Sequence, residues 1–223
     1  RFVDKIFVTY EQSKNQFSAG KVMVTGNPVR AAFTERLGNP VSRKSGRQIL
    51  VFGGSQGAAA INKTVVAMLP YLQKMKDSLK IVHQTGERDL VMVKKAYEQY
   101  GLDARVSPFI EDMVSAYESS DLIICRAGAT SLAEITAAGR ASILIPFPWA
   151  ANDHQTLNAR AMVEAGAAEM IQESELTPEV LFALVQSLLL DERKLQEMED
   201  KSKKSGRLDA AAKIVDACLQ LAV

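Results

Sequence analysis

The sequence predicts a doubly wound α/β domain built on a parallel sheet. From residue 48 onward, short apolar segments alternate with longer amphipathic ones. The apolar segments are rich in Ile and Val, as strands buried on both faces of a parallel sheet must be. Turn-forming residues separate them, so strand and helix follow one another in the order that βαβ units require.

Taken in chain order, residues 3–9 (VDKIFVT) read as a strand and residues 22–24 as a second short apolar piece, stopped by Gly26-Asn27-Pro28. Residues 29–37 suit a short helix. The polar stretch 38–46 reads as a linker or long loop, and a structural boundary is expected near residues 26–28. The regular alternation then begins. Strands are expected at 48–52, 80–84, 104–106, 121–125 and 142–147, with an edge strand at 168–171. Helices are expected at 58–69, 88–100, 113–119, 130–138 and 154–165. Thr177-Pro178 is an N-cap followed by proline at the first helical position, opening a helix over 179–190. Two further helices, 192–203 and 208–221, close the chain.

Composition limits the function classes. Of 223 residues, 47% are hydrophobic and 24% charged, which excludes a disordered chain, a collagen-like chain and a disulfide scaffold. Net charge is +1, so no global basic field argues for nucleic acid. Residues 1–50 nevertheless carry a net +6 against −5 for the remainder, which suits either a solvated linker or an anionic partner. Cys125 and Cys218 lie too far apart for a metal-ligand motif, and a reducing, cytosolic setting fits. The long uncharged runs 48–62 and 141–152 are shorter than the roughly 20 residues that span a bilayer. No signal peptide is visible. Arg1 in place of Met points to the remainder of a longer chain.

In such a sheet, ligands bind beyond the carboxyl ends of the strands, which directs attention to four loops. Gly53-Gly54-Ser55-Gln56-Gly57-Ala58 joins a strand to a helix; its glycines and the helix N-terminus suit a phosphate, although packing alone also explains a Gly-rich turn. The loop lacks the Lys-Ser/Thr of a P-loop and the full dinucleotide fingerprint. Arg126 through Glu134 forms a second such turn. Its Glu134 suits vicinal ribose hydroxyls, while Ser131-x-x-Glu134 equally spells a capping box. The third loop, 146–155, holds the only Trp, Trp149. In it Asn152 or Asp153 suits a helix cap, and His154, Gln155 and Asn158 lie on the first turns of the helix. The fourth, 107–113, can line a base pocket or serve as a plain turn and cap. His83, inside a strand, reads as structural. No Ser–His–Asp arrangement, metal cluster or pair of catalytic carboxylates stands at recognisable spacing.

These loops, together and in this order, are similar to those of a known family. Gly26-Asn27-Pro28-Val29-Arg30, residues 53–58, Phe109-Ile110-Glu111-Asp112-Met113, Arg126-Ala127-Gly128-Ala129 through Glu134, and Ala151-Asn152-Asp153-His154-Gln155 with Asn158-Ala159 resemble the C-terminal half of the MurG family. Members of that family are bacterial UDP-N-acetylglucosamine transferases that convert lipid I to lipid II in peptidoglycan synthesis. The resemblance runs over nearly the whole chain; each motif is weak, and the ordered set is specific. It implies a GT-B fold: two Rossmann-like domains with the active site between them. Residues 1–26 would then end the acceptor domain, residues 27–207 would form the donor domain, and residues 208–223 would cross back as a helix.

The resemblance also implies residue roles. Arg30 is expected to reach the nucleotide. Ser55 and the backbone of Gly54, Gln56 and Gly57 are expected to hold the diphosphate, with Gly128, Ala129, Thr130 and Ser131 beside it at a helix N-terminus. Phe109 and Ile110 are expected to line the uracil, the Ile110 backbone reading its edge, and Glu134 to accept from the ribose. His154 and Gln155 are expected at the sugar, supported by Asn158. Two positions depart from the family pattern: His154, where several relatives carry Gln, and Thr130-Ser131, where some carry Leu-Thr. The implied reaction is inverting transfer to the 4-hydroxyl of the muramoyl sugar, with no metal or other cofactor at the donor site and the general base in the other domain. The implied partners are UDP-N-acetylglucosamine, lipid I and an anionic membrane, with no nucleic acid. The implied place is the cytoplasmic face of the inner membrane, peripherally bound, with roles in cell-wall synthesis, cell shape and division. Two rivals stand beside this reading: another GT-B protein that uses a UDP-sugar, and a non-catalytic nucleotide-binding module. NAD binding finds no support, because no acidic residue ends a strand about 20 positions beyond the Gly-rich loop.

Overall fold

A computed structural model describes residues 3–17, 20–36, 47–54 and 57–221. The expected linker at 38–46, with Ser55 and Gln56 of the Gly-rich loop, lies outside the described residues.

The architecture is the expected one. Eight strands form two sheets among the described residues. The first is a parallel pair, β1 (Ile6–Val8) with β2 (Val22–Val24). The second has six parallel strands: β3 (Arg47–Phe52), β4 (Leu79–Gln84), β5 (Asp103–Ser107), β6 (Leu122–Cys125), β7 (Ala141–Leu144) and β8 (Ala168–Met170). Their spatial order is β5-β4-β3-β6-β7-β8. The chain enters at the centre, winds outward through β4 and β5, then returns to β6 and winds the other way. The switch point therefore falls between β3 and β6, where such folds bind ligands.

Strand parity divides the interior into two cores. Ile49 and Val51, Leu122 and Ile124, and Ala141 and Ile143 point to one face. They pack there with α2 (Ala59–Leu72), α3 (Leu90–Tyr100), α7 (Pro178–Leu190) and α8 (Glu192–Ser205). Leu50, Phe52, Ile123, Cys125 and Leu144 point to the other face. They meet α1 (Ala31–Arg36), α4 (Met113–Ser119), α5 (Ala129–Ala138) and α6 (His154–Glu164). Alternate residues of a strand face opposite sides, so an apolar run with no polar gaps satisfies both cores at once.

Several boundaries shift by a few residues from expectation, among them β1, which spans Ile6–Val8 rather than 3–9, and α1, which spans Ala31–Arg36 rather than 29–37; two further shifts have clear local causes. Helix α2 runs through Pro70. A proline so near a helix end removes one hydrogen bond, to the carbonyl four residues back, and the chain then tightens into a 3-10 turn, Gln73–Ser78. Strand β7 stops at Leu144 rather than 147, because Pro146 and Pro148 have no N–H to give a ladder. The last helix, α9, starts at Ala210 and ends at Leu221. It buries Ala210 and Ala217 and leaves Val215, Leu219 and Leu221 exposed.

Candidate functional site

Register sets the site. Ser107 of β5 pairs with Gln84 of β4, Gln84 with Phe52 of β3, Phe52 with Cys125 of β6, and Cys125 with Leu144 of β7. Five strands thus end in one row, and all four candidate loops leave from that edge.

The loop after β3 needs its glycines for two different reasons. Gly57 has φ +74°, and a Cβ there would stand 2.1 Å from the Thr85 carbonyl oxygen, so only glycine lets the loop lie on the end of β4. Gly54 has φ +91°, yet nothing lies within 4 Å of where its Cβ would be. Its freedom serves the turn itself, closed by Gly57 N–H to the Gly54 carbonyl at 3.0 Å.

The loop after β6 removes the capping-box reading of Glu134. Gly128 is the N-cap of α5 and makes no side-chain cap. Ser131 therefore lies inside the helix, and the capping box does not form. The first intrahelical bond of α5 runs from Leu132 N–H to the Gly128 carbonyl at 3.0 Å. The N–H groups of Ala129, Thr130 and Ser131 precede it and have no acceptor within the helix. A Cβ on Gly128 would meet only the Ser131 hydroxyl, at 3.9 Å, so the approach to these donors is open.

Glu134 is instead gripped from outside its helix. Its Oε1 accepts from Arg30 Nη2 at 2.9 Å, joining positions 104 apart in the chain, and its Oε2 accepts from the Tyr117 hydroxyl at 3.3 Å. The carboxylate side is buried and the Arg30 side is half exposed. Below them lies an aromatic floor. Arg30 sits over the Phe33 ring, 5.4 Å from its centroid, and Tyr117 meets Phe33 and Phe52 edge-on at 5.5 and 5.9 Å. Burial pushes the Tyr117 phenol well above its ordinary range, and Cys125 and Glu134 add to the shift, so the hydroxyl stays a donor.

In the loop after β5, Asp112 caps α4, accepting from Ser115 N–H at 3.0 Å. Ile110 is buried and Phe109 is exposed. Ile110 N–H donates to Gln84 Oε1 at 2.8 Å, so the expected reading of a base edge by the Ile110 backbone would fall to its carbonyl.

The loop after β7 departs further from expectation. Neither Asn152 nor Asp153 caps α6 with its side chain. Both adopt φ +51°, two consecutive left-handed residues that only Asn, Asp and Gly tolerate readily. His154 bonds the Ala151 carbonyl through Nδ1 at 2.8 Å, which turns Nε2 outward. Gln155 Oε1 accepts from Phe147 N–H at 3.0 Å, and Asn158 Nδ2 donates to the Ala127 carbonyl at 3.1 Å. Asn158 is thus a brace between α6 and the loop after β6. Arg126 serves as another: it donates to the carbonyls of Ile145 and Pro146, pairs with Glu173, and lies 5.3 Å from the Phe147 ring centroid. Trp149 stands 83% exposed at the tip.

His83 is structural, as expected. Burial lowers its pKa to about 3, against a smaller opposing effect of Asp89. Its neutral ring bridges Tyr97 and Asn62, and Asn62 in turn donates to the Thr85 carbonyl and to Asp89. Two side chains at the site carried no sequence signal that was read: Tyr117, which holds Glu134, and Gln84, which joins two loops. The strand-end rule that picked out four loops applies equally to residue 84, the last of β4.

A parallel sheet with open, glycine-bearing loops at its switch point places the chain among the Rossmann-like domains. Comparison with known proteins narrows that class. A model of the glycosyltransferase family 28 C-terminal domain matches residues 48–214, and the chain belongs to that family. It is 52% identical over 223 residues to the UDP-N-acetylglucosamine–N-acetylmuramyl-(pentapeptide) pyrophosphoryl-undecaprenol N-acetylglucosamine transferase of Syntrophus aciditrophicus (strain SB), covering 99% of this chain and 61% of that protein. It is 46% identical to the protein of the same name from Myxococcus xanthus (strain DK1622), covering 100% of this chain and 58% of that protein. Among solved structures, MurG of Acinetobacter baumannii superposes with a TM-score of 0.80 at 34% identity, over 97% of this chain and 61% of that one. A UDP-GlcNAc 2-epimerase of Neisseria meningitidis shares the fold, with a TM-score of 0.67 at 16% identity over 97% of this chain and 61% of that one. The fold is that of the C-terminal domain of a GT-B glycosyltransferase. The chain spans about three fifths of the length of the curated relatives it matches.

Proposed function

We propose that this chain is the donor-binding part of an inverting transferase that moves N-acetylglucosamine from UDP-N-acetylglucosamine to the 4-hydroxyl of the muramoyl sugar of lipid I, giving lipid II. The observation that carries the reading is the Arg30–Glu134 pair. It brings a residue that precedes β3 to the helix opening the switch point, between the loops after β3 and β6. Identity of 46–52% to transferases named for that reaction supports the substrate class.

The diphosphate lies between the loop after β3 and the N-terminus of α5. Ser55, Gln56 and the backbone of Gly54 and Gly57 hold it from one side, and Gly128, Ala129, Thr130 and Ser131 from the other. Phe109 and Ile110 receive the uracil, Glu134 the ribose, and Arg30 the nucleotide beside it. His154 Nε2 and the Gln155 amide face the sugar. As the bond to the sugar breaks, negative charge grows on the β-phosphate, and backbone N–H groups aimed there stabilise it. No metal is needed in this scheme. The acceptor, its general base and the anionic membrane surface are met by a second domain outside this chain, at the cytoplasmic face of the inner membrane. Residues 1–26 belong with that domain, and residues 208–223 cross back to it.

Calorimetric titration of the full-length protein with UDP, UDP-N-acetylglucosamine and ADP tests the donor site. Preference for the two uridine ligands is expected, and equal binding of ADP would overturn it. Product formation from lipid I, against another lipid-linked acceptor, tests the acceptor.

A further inference from the structure

We propose that Gln84 is a positioning residue that locks the phosphate loop after β3 to the base loop after β5, so that each half of a uridine nucleotide is bound more tightly when the other is in place. The inference rests on the uridine-nucleotide reading above.

Gln84 ends β4, the strand between β3 and β5, and is only 3% exposed. Its Nε2 donates to the Gly54 carbonyl at 3.0 Å, and its Oε1 accepts from Ile110 N–H at 2.8 Å. The two partners lie 56 positions apart in the chain. They fix the orientation of the amide, because a flipped group would set NH₂ against N–H and oxygen against carbonyl. A buried amide spent at both ends is costly to release, since parting either bond strands a buried polar group.

The surroundings make this bond pair a splint. Thr85 N–H reaches the Ser107 carbonyl at 3.0 Å and Gly86 N–H the Pro108 carbonyl at 3.1 Å, which fasten the base loop to β4. The α-carbon of Gly57 rests against the Thr85 carbonyl, which seats the phosphate loop on the same strand end. Gln84 alone, among the side chains of the described residues, bonds both loops. It also decides what Ile110 can offer a base. With the N–H taken, the carbonyl remains, an acceptor that suits the N3–H of uracil and opposes the unprotonated N3 of cytosine.

Two substitutions separate the two bonds. Gln84→Glu, studied at pH 8 as the carboxylate, keeps an acceptor for Ile110 N–H and sets an anion against the Gly54 carbonyl. Gln84→Met, of similar length, removes both bonds. The full-length protein and both variants are titrated with UDP, UMP and CMP, with folding checked by circular dichroism. In Gln84→Glu the gain in affinity from UMP to UDP is expected to fall about three- to tenfold, the worth of one hydrogen bond, while preference for UMP over CMP holds. In Gln84→Met both ratios fall. Should Gln84→Glu fail to fold, the fall of both ratios in Gln84→Met still decides. Equal losses for all three ligands, or no change in either ratio, would overturn the proposal and leave Gln84 a packing residue. If the unsubstituted protein itself shows no preference for UDP over CMP, the donor-site reading fails and the bridge falls with it.

Discussion

Replacing Glu134 by glutamine probes the proposed nucleotide site without opening a cavity, since the two side chains match in size. The structure bounds the stability change. The amide oxygen can accept from Tyr117, which sets the NH₂ group toward Arg30, so what is lost is both the charge and the hydrogen bond that Arg30 makes. Arg30 is 55% exposed, so water screens that pair and its worth is about 1 kcal/mol or less. The unfolding midpoint in urea should therefore move little. Ligand affinity should move more. A hydroxyl donating to a carboxylate gains about 1.5–3 kcal/mol net, against about 0.5–1.5 for a neutral acceptor. Loss of roughly 1 kcal/mol per ribose hydroxyl corresponds to a rise in Kd for UDP of about fivefold for one hydroxyl and about thirtyfold for two. Calorimetry with UDP and with 2′,3′-dideoxy-UDP reads this directly. The dideoxy ligand has no hydroxyl to present, so its affinity should be nearly the same for both proteins. Equal losses for the two ligands would refute the ribose assignment. A large drop in stability with unchanged UDP affinity would show that the carboxylate only braces α5.

Three further outcomes are expected. Gly57→Ala should destabilise the fold by about 2–5 kcal/mol in urea, combining a left-handed backbone with overlap on the Thr85 carbonyl, whereas Gly54→Ala, with open space around it, should cost only about 1–2 kcal/mol; equal costs would mean that the loop does not rest on β4. His83 stays neutral in the folded chain down to about pH 3 but takes a proton near pH 6.5 when unfolded, so between those values the unfolded state holds the extra proton. Its contribution is complete above about pH 6.5 and is lost on acidification by up to about 1.4 kcal/mol per pH unit; urea unfolding of His83→Gln should show a slope shallower by that amount, and parallel slopes would count against a buried neutral ring. Finally, excess EDTA should leave the calorimetric affinity for UDP unchanged if backbone donors meet the diphosphate charge, while a loss of binding would reveal a bridging cation.

The sheet was legible because its strands are short, apolar and fenced by turn residues: all six, including the edge strand β8, lie within a few residues of their expected places. Errors arose where a local rule was outweighed. Pro70 did not stop α2, because only its last turn remained to be built. Ser131-x-x-Glu134 suited a capping box as well as a ribose contact, and only the helix start at Gly128, three residues earlier, excludes the box. At the site, the chain-local parts were readable, as glycines before a helix and polar residues on its first turn. The supports were not. Gln84 acts on Gly54 and Ile110, and Tyr117 on Glu134, each through contacts that exist only once separate βα units are side by side. The left-handed pair Asn152-Asp153 was read as a cap because both residue types serve either role.

The common row in which β5, β4, β3, β6 and β7 end has a consequence for how such a domain changes over time. Segments that leave a scaffold at one level can be lengthened, shortened or exchanged without shifting either core. They are not all independent. The connections after β3 and β5 share one buried amide, so a graft of either alone would leave a severed half-bond behind, and the pair must be inherited together. The connection after β7 is held by Arg126, which donates to the carbonyls of Ile145 and Pro146, and by Gln155, which accepts from Phe147 N–H. Provided those two anchors stay, it is the piece most open to replacement, and on the proposed donor-site reading it is where a new sugar preference would arise while the nucleotide end is left as it was.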